Sequence, residues 1–240
     1  MEEKNKVDML NVLRFIAFIM IFLLHSKIFM PVTWNDNFQC AWLFYTPAWA
    51  GTWIFFILSG YGIGCGFYSG KYELSVKGII SYCTKRISAI VPIYYFYIFA
   101  IAIFVKPEIL IPTREHVQYM LKLLFFHYHA EFYGAEYGLA WYMSTLIRLY
   151  FIAPLGYFCL KRVLKSQKQV YIIMFAILLI GLSARCLMHY YITSTGNGNW
   201  SDNVYTPFYF NFDLFFSGML LSHIKHSFGG GAKQLNLFLF

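Results

Sequence analysis

Charge is scarce in this chain: Asp, Glu, Lys and Arg make up 12% of its 240 residues, about half the share of an ordinary soluble domain. The scarcity is also local. No Lys, Arg, Asp, Glu or His occurs between Asn37 and Gly70, in the 18 residues from Ser88 to Val105, or from Val170 to Ala184. Such runs exclude a water-soluble globular class, and each supplies much or all of the ~20 residues that a membrane-spanning helix needs. The five cysteines (Cys40, Cys65, Cys83, Cys159 and Cys186) form no CxxC pair, which argues against a zinc ribbon or a dithiol redox centre and for structural thiols. The features of a cleaved leader are missing too. Met1 to Lys6 is mixed in charge, the apolar stretch after it is too long, and no small-x-small site follows. No internal repeat and no low-complexity linker interrupts the chain.

What is present is apolar and aromatic: 59% hydrophobic residues, with 26 Phe and 20 Tyr. The pattern predicts an all-α, polytopic transmembrane helical bundle with spans at 7–30, 42–67, 88–105, 138–160, 170–190 and 206–224. Leu235 to Phe240 is too short to cross a bilayer and is expected to be the start of a seventh span in a truncated chain, so that residues 1–240 form the N-terminal portion of a single, longer membrane-embedded domain. The net charge of +8 does not indicate nucleic acid, because the basic residues alternate across the connections. Lys4, Lys6, Lys71, Lys77, Lys85, Arg86, Lys161, Arg162, Lys165, Lys168, Lys225 and Lys233 fall on one side; Lys106, Arg114 and Lys122 fall on the other, among Glu108, Glu115, Glu131 and Glu136. Twelve against three predicts a cytoplasmic N-terminus. The longest connection, Lys106 to Tyr137, is then external, and its apolar, aromatic centre from His116 to His129 suits an interfacial or re-entrant helix.

Within this frame the ionisable residues inside spans stand out, since a charge in hydrocarbon is costly and marks function by default. Arg14 and His25 share the first span. Eleven steps at ~3.6 residues per turn is about three turns plus 20°, which puts both on one face, roughly 16 Å apart along the axis. Arg14 is then expected toward the inner leaflet and His25 near the outer face; the bland alternative is a buried polar pair held by neighbouring helices. Arg148 interrupts the uncharged stretch Tyr137 to Leu160 and needs a partner, for which Asp213 in the sixth span is the acidic candidate. Gly60/Gly64 and Gly62/Gly66 offer two small-residue faces for close helix packing. His127-Tyr128-His129-Ala130-Glu131 alternates like metal ligands, but no further Cys or His cluster supports it, and no metal site is expected. Lys85 and Arg86 before Pro92 serve either as topological anchors or as a clamp for phosphate or carboxylate.

Together these segments resemble the acyltransferase-3 family of integral-membrane O-acyltransferases. Leu10 to Arg14 with His25 is similar to that family's opening helix and its Arg-x10-His signature. Phe55 to Tyr61, containing Ser59, resembles its FF-x-LSG-aromatic segment, and Lys85-Arg86 to Pro92 its basic segment before the third helix. Trp141 to Pro154 (with Tyr142, Ser144, Arg148 and Tyr150) and Phe212 to Leu221 resemble later helices. Asn11 stands where many relatives carry Asp, Ala89 where a further Arg is often found, and Leu146-Ile147 where one large subgroup carries a pair of Glu, so the chain resembles the subgroup lacking that pair.

The resemblance implies transfer of an acyl group, commonly acetyl, from an acyl-CoA donor to a hydroxyl of a cell-envelope glycan or lipid-linked saccharide. It implies a bacterial cytoplasmic (inner) membrane location, the bilayer as surroundings, no nucleic-acid partner and no permanently bound cofactor, acetyl-CoA being a substrate. His25 is expected to act as general base, since imidazole titrates near neutrality. Arg14 is expected to support the site, Lys85 and Arg86 to hold the donor's phosphates, and Ser59, Trp141, Tyr142, Ser144, Arg148 and Tyr150 to line the substrate site. An external base and a cytosolic donor pool require a passage through the bundle for the acyl or pantetheine arm. On physics alone, an exporter or flippase of a glycan precursor, or an inactive fragment, would carry the same ionisable residues.

Overall fold

Long apolar runs become helices here because a backbone in hydrocarbon has no water to bond and must satisfy its N–H and C=O groups within its own segment. The computed structural model describes residues 9–26, 46–127, 138 and 140–228. In chain order the helices are α1 (Met9–Ser26), α2 (Ala48–Tyr68), α3 (Val76–Phe104), α4 (Arg114–Leu124), α5 (Ala140–Val163), α6 (Gln167–Thr195) and α7 (Phe212–Phe228). Short 3-10 turns lie at Pro107–Leu110 and Phe208–Phe210, and a π turn at Ser201–Tyr205. No strand occurs among the described residues. Five of these helices (α1, α2, α3, α5 and α6) are long and apolar enough to cross a membrane. The protein is all-α.

Among the boundaries that differ from the sequence expectation, two have a clear local reason. Helix α3 starts at Val76 rather than Ser88, because the Ser75 hydroxyl caps it by accepting from the Gly78 N–H at 3.1 Å. Lys77, Lys85 and Arg86 ride on the added turns; charge ends a hydrophobic run without ending a helix. The sixth segment, expected from residue 206, becomes α-helical only at Phe212. Pro207 cannot donate a ladder hydrogen bond, and the Asn211 side-chain amide donates to the carbonyls of Tyr205 (2.8 Å) and Pro207 (3.0 Å), holding the irregular turns instead. Leu235 to Phe240, the expected opening of a further span, lies outside the described residues.

The chain divides into two compact units, Met1–Cys65 with Leu214–Phe240, and Gly66–Asp213. In the first, glycines set the packing. A Cβ on Gly60 would lie 1.9 Å from the Phe215 carbonyl oxygen, and one on Gly218 would lie 2.0 Å from that of Ile57, so α2 and α7 approach backbone to backbone. Gly64 faces the Ser222 side chain of α7, whereas Gly62 faces open space. Phe56, Ile63, Phe215, Met219 and Leu220 fill the seam, fully buried. Helix α1 meets α2 where Gly51 touches the Ala17 carbonyl and the Ile21 side chain.

In the second unit an aromatic cluster joins the end of α2 to α3 and α5. Phe67 stacks on Tyr157 at 4.8 Å and meets Tyr72 and Tyr82 at 5.4 and 5.3 Å. The buried Tyr82 donates its hydroxyl to the Tyr150 carbonyl at 3.1 Å. Helix α4 occupies the centre of the long connection expected to be interfacial. Its N-terminus is capped by Thr113, and Glu115 and Lys122 oppose the helix dipole at its two ends. Its last carbonyls, those of Leu123 and Leu124, accept from the hydroxyls of Tyr94 (2.7 Å) and Tyr95 (3.0 Å) on α3, which answers the unsatisfied end of the helix. Helix α6 is capped by Ser166 and Gln169 in a reciprocal box and ends at Gly196, whose φ of 68° suits a residue without Cβ.

Candidate active site

Arg14 and His25 both lie on the exposed surface of α1. At 100° per residue, Ile21 sits about 20° from Arg14 and 40° from His25 around the helix, in the same sense, so both lie along one edge of the stripe through which α1 packs on Gly51. Asn11 holds the guanidinium: Arg14 Nη1 donates to Asn11 Oδ1 at 2.6 Å. Asn11 is thus the hydrogen-bond partner of this arginine. Ser59 is half-buried on α2 beside Gly60.

The second unit contains a cavity of about 200 Å³ of mixed polar and aromatic lining, between one face of α5 and the irregular segment after α6. Trp141, Ser144, Thr145 and Arg148 come from α5; Asp202, Asn203, Thr206 and Tyr209 face them, with His127 at the edge. Arg148 donates from Nη2 to the Phe126 carbonyl at 2.9 Å and lies 5.7 Å from the Phe208 ring centroid. The Thr145 hydroxyl donates to the Thr206 carbonyl at 2.8 Å and ties the two walls together. Of the expected substrate-site residues, the structure brings Trp141, Ser144 and Arg148 to this cavity. Tyr142 stands edge-on to Trp141, with centroids 6.0 Å apart, and is not a lining residue.

Tyr150 belongs to a different constellation. Arg86 is enclosed by the rings of Tyr72, Tyr82 and Tyr150, with its guanidinium carbon 5.4, 6.0 and 5.6 Å from their centroids. Its Nη2 donates to the Tyr72 hydroxyl at 2.8 Å. The cavity beside it is about 10 Å³, room for no more than a water. Lys85 is exposed one residue before.

The acidic partner suggested for Arg148 lies elsewhere. Asp213 binds Arg185 of α6 in a buried, two-pronged pair, with Nη1 to Oδ2 at 2.9 Å and Nη2 to Oδ1 at 2.6 Å. The Phe210 carbonyl also accepts from Arg185. Arg148 is satisfied in part by a backbone carbonyl instead. Arg185 carried a signal, since it is the first charge after the run Val170 to Ala184 and falls well inside the apolar helix. Asp202 and Asn203 carried none, because they sit in a Gly- and Asn-rich stretch that has the composition of an ordinary turn. Of the His127 to Glu131 run, only His127 lies within the described residues. Past the apolar part of α7, partial burial and the nearby Lys225 hold the His226 imidazole below its usual pKa.

The acyltransferase-3 family model, described as an acyltransferase domain, matches residues 7–233. No curated protein and no solved structure matches the chain.

Proposed function

Because the chain belongs to the acyltransferase-3 family of membrane acyltransferases, we propose that it transfers an acyl group, acetyl in the first instance, from acyl-CoA to a hydroxyl of a cell-envelope glycan or lipid-linked saccharide at the bacterial inner membrane. The observation that carries the reading is the family match over residues 7–233 with the family's Arg-x10-His pair standing as Arg14 and His25 on one face of α1. In this scheme His25 takes the acceptor hydroxyl's proton as the oxygen attacks the thioester carbonyl. The tetrahedral intermediate collapses, the new ester forms, the C–S bond breaks, and the proton passes to the departing thiolate. Arg14, oriented by Asn11, supports the donor end of the site. Lys85 is free to meet the donor's phosphates, while Arg86, anchored by Tyr72, fixes the helix that presents it.

The test is chemical. Envelope glycans from cells expressing the chain should carry ester-linked acyl groups that mild alkali removes, and His25→Ala should lower transfer by about 10²–10⁴-fold, the usual contribution of a general base. Full transfer by His25→Ala would remove the assignment of the base. Movement of saccharide across the membrane with no ester formed would instead identify an exporter.

A further inference from the structure

We propose that the cavity between α5 and the 202–209 segment binds a carboxylate-bearing sugar residue of the acceptor, a hexuronate unit, through Arg148, Ser144, Asp202 and Trp141. The inference rests on the acyl-transfer reading only in calling this sugar the acceptor; the binding itself stands on the cavity's own chemistry.

Three features define that chemistry. The first is unmet hydrogen-bonding capacity. Ser144 is 2% exposed and lines the cavity, yet its hydroxyl has no hydrogen-bond partner among the described residues. Asp202 lines the opposite wall; its Oδ2 accepts from the Asn199 amide at 2.8 Å, while its buried Oδ1 has no partner among the described residues. Leaving a buried polar atom unmet is costly, so two of them lining one cavity call for a ligand that carries hydroxyls. The second is unused opposite charge. Arg148 and Asp202 line the same space without forming an ion pair with each other, since the Arg185–Asp213 pair is the salt bridge found among the described residues. A ligand that offers a carboxylate to the first and hydroxyl donors to the second satisfies both without bringing two carboxylates together. The third is shape. Trp141, Ser144, Thr145 and Arg148 recur on one face of α5 over two turns, roughly 10 Å, and Trp141 supplies an aromatic platform of the kind on which a pyranose's apolar face packs. A cavity of about 200 Å³ is below the drug-sized range and suits one sugar ring rather than an acyl-CoA.

The test uses the full chain purified in detergent, titrated by calorimetry with glucuronate, glucose and acetate. Glucuronate should bind saturably and at least tenfold more tightly than either of the others. Arg148→Gln should lose at least tenfold for glucuronate and leave glucose unchanged. Asp202→Asn, which leaves Arg148 in place, should weaken glucuronate and glucose alike by severalfold while keeping the preference for the acid. Equal binding of glucose and glucuronate, no saturable glucuronate binding, or unchanged affinity in a folded Arg148→Gln would each overturn the assignment. The two readings separate cleanly. His25→Ala should bind glucuronate as the parent does while losing transfer; glucuronate binding by a parent that esterifies nothing would defeat the acyl-transfer reading alone, and transfer to a neutral glycan alone would defeat the acidic-sugar assignment.

Discussion

At the scale of single residues, Arg185 and Asp213 show how a charge is tolerated among apolar neighbours. The guanidinium fork meets both carboxylate oxygens, and the Phe210 carbonyl also accepts from it, so neither ion is left to pay its desolvation cost alone. Removing one member leaves the other charge buried. Asp213→Leu is therefore expected to cost about 3–5 kcal/mol, the range for a broken buried pair, read as a large drop in the thermal midpoint of the purified protein in detergent. The double variant Arg185→Met/Asp213→Leu should recover most of that loss, because two apolar groups of similar volume need no partner. A double variant as unstable as the single one would show that the carboxylate does more than neutralise Arg185. Arg185→Lys should rescue little, since a single ammonium cannot reproduce the two-pronged contact.

Elements pack where the side chains are smallest, and α2 shows this on one helix. Its glycines are visible in the sequence as two faces, Gly60/Gly64 and Gly62/Gly66, but which face meets which partner is not. The structure turns Gly60 and Gly64 to α7 and Gly66 to Tyr72, and leaves Gly62 with no neighbour within 4 Å of a Cβ. The distinction was illegible because spacing defines a face whereas the partner is defined by a segment far along the chain, here Phe215 to Ser222. Gly60→Ala and Gly218→Ala each drive a methyl into a backbone carbonyl of the other helix, an obstacle that no rotamer relieves. Each should destabilise by about 1–3 kcal/mol, as overpacking does. Gly62→Ala should be neutral or stabilising by up to about 1 kcal/mol through its better helix propensity. Thermal midpoints of the three variants check the pattern; equal losses at positions 60 and 62 would contradict the packing of α2 on α7.

For the whole molecule, composition set the class correctly. Each long uncharged run contributes residues to a described helix, since hydrocarbon admits no other open backbone, and the Arg-x10-His pair, the Trp141 to Pro154 stretch and the basic segment before Pro92 led to the family that the chain matches. What sequence could not supply was contact between distant segments, such as the Tyr82 hydroxyl on the Tyr150 carbonyl 68 residues away, or the placing of Tyr150 with Arg86 instead of with Trp141 and Ser144. The orientation expected in the membrane rests on sequence alone, on twelve basic residues against three, and it bears on the proposed chemistry. With the N-terminus inside, His25 is external and a cytosolic thioester must reach across the bilayer; with the N-terminus outside, base and donor would share the cytosolic side and no passage would be needed. Asn197 and Lys165 are both exposed and lie in the connections beyond the two ends of α6. A membrane-impermeant thiol reagent applied to intact spheroplasts should label Asn197→Cys above the parent background and leave Lys165→Cys unlabelled until the membrane is permeabilised. The reverse pattern would place the N-terminus outside, and with it the acyl-accepting hydroxyl on the cytosolic face.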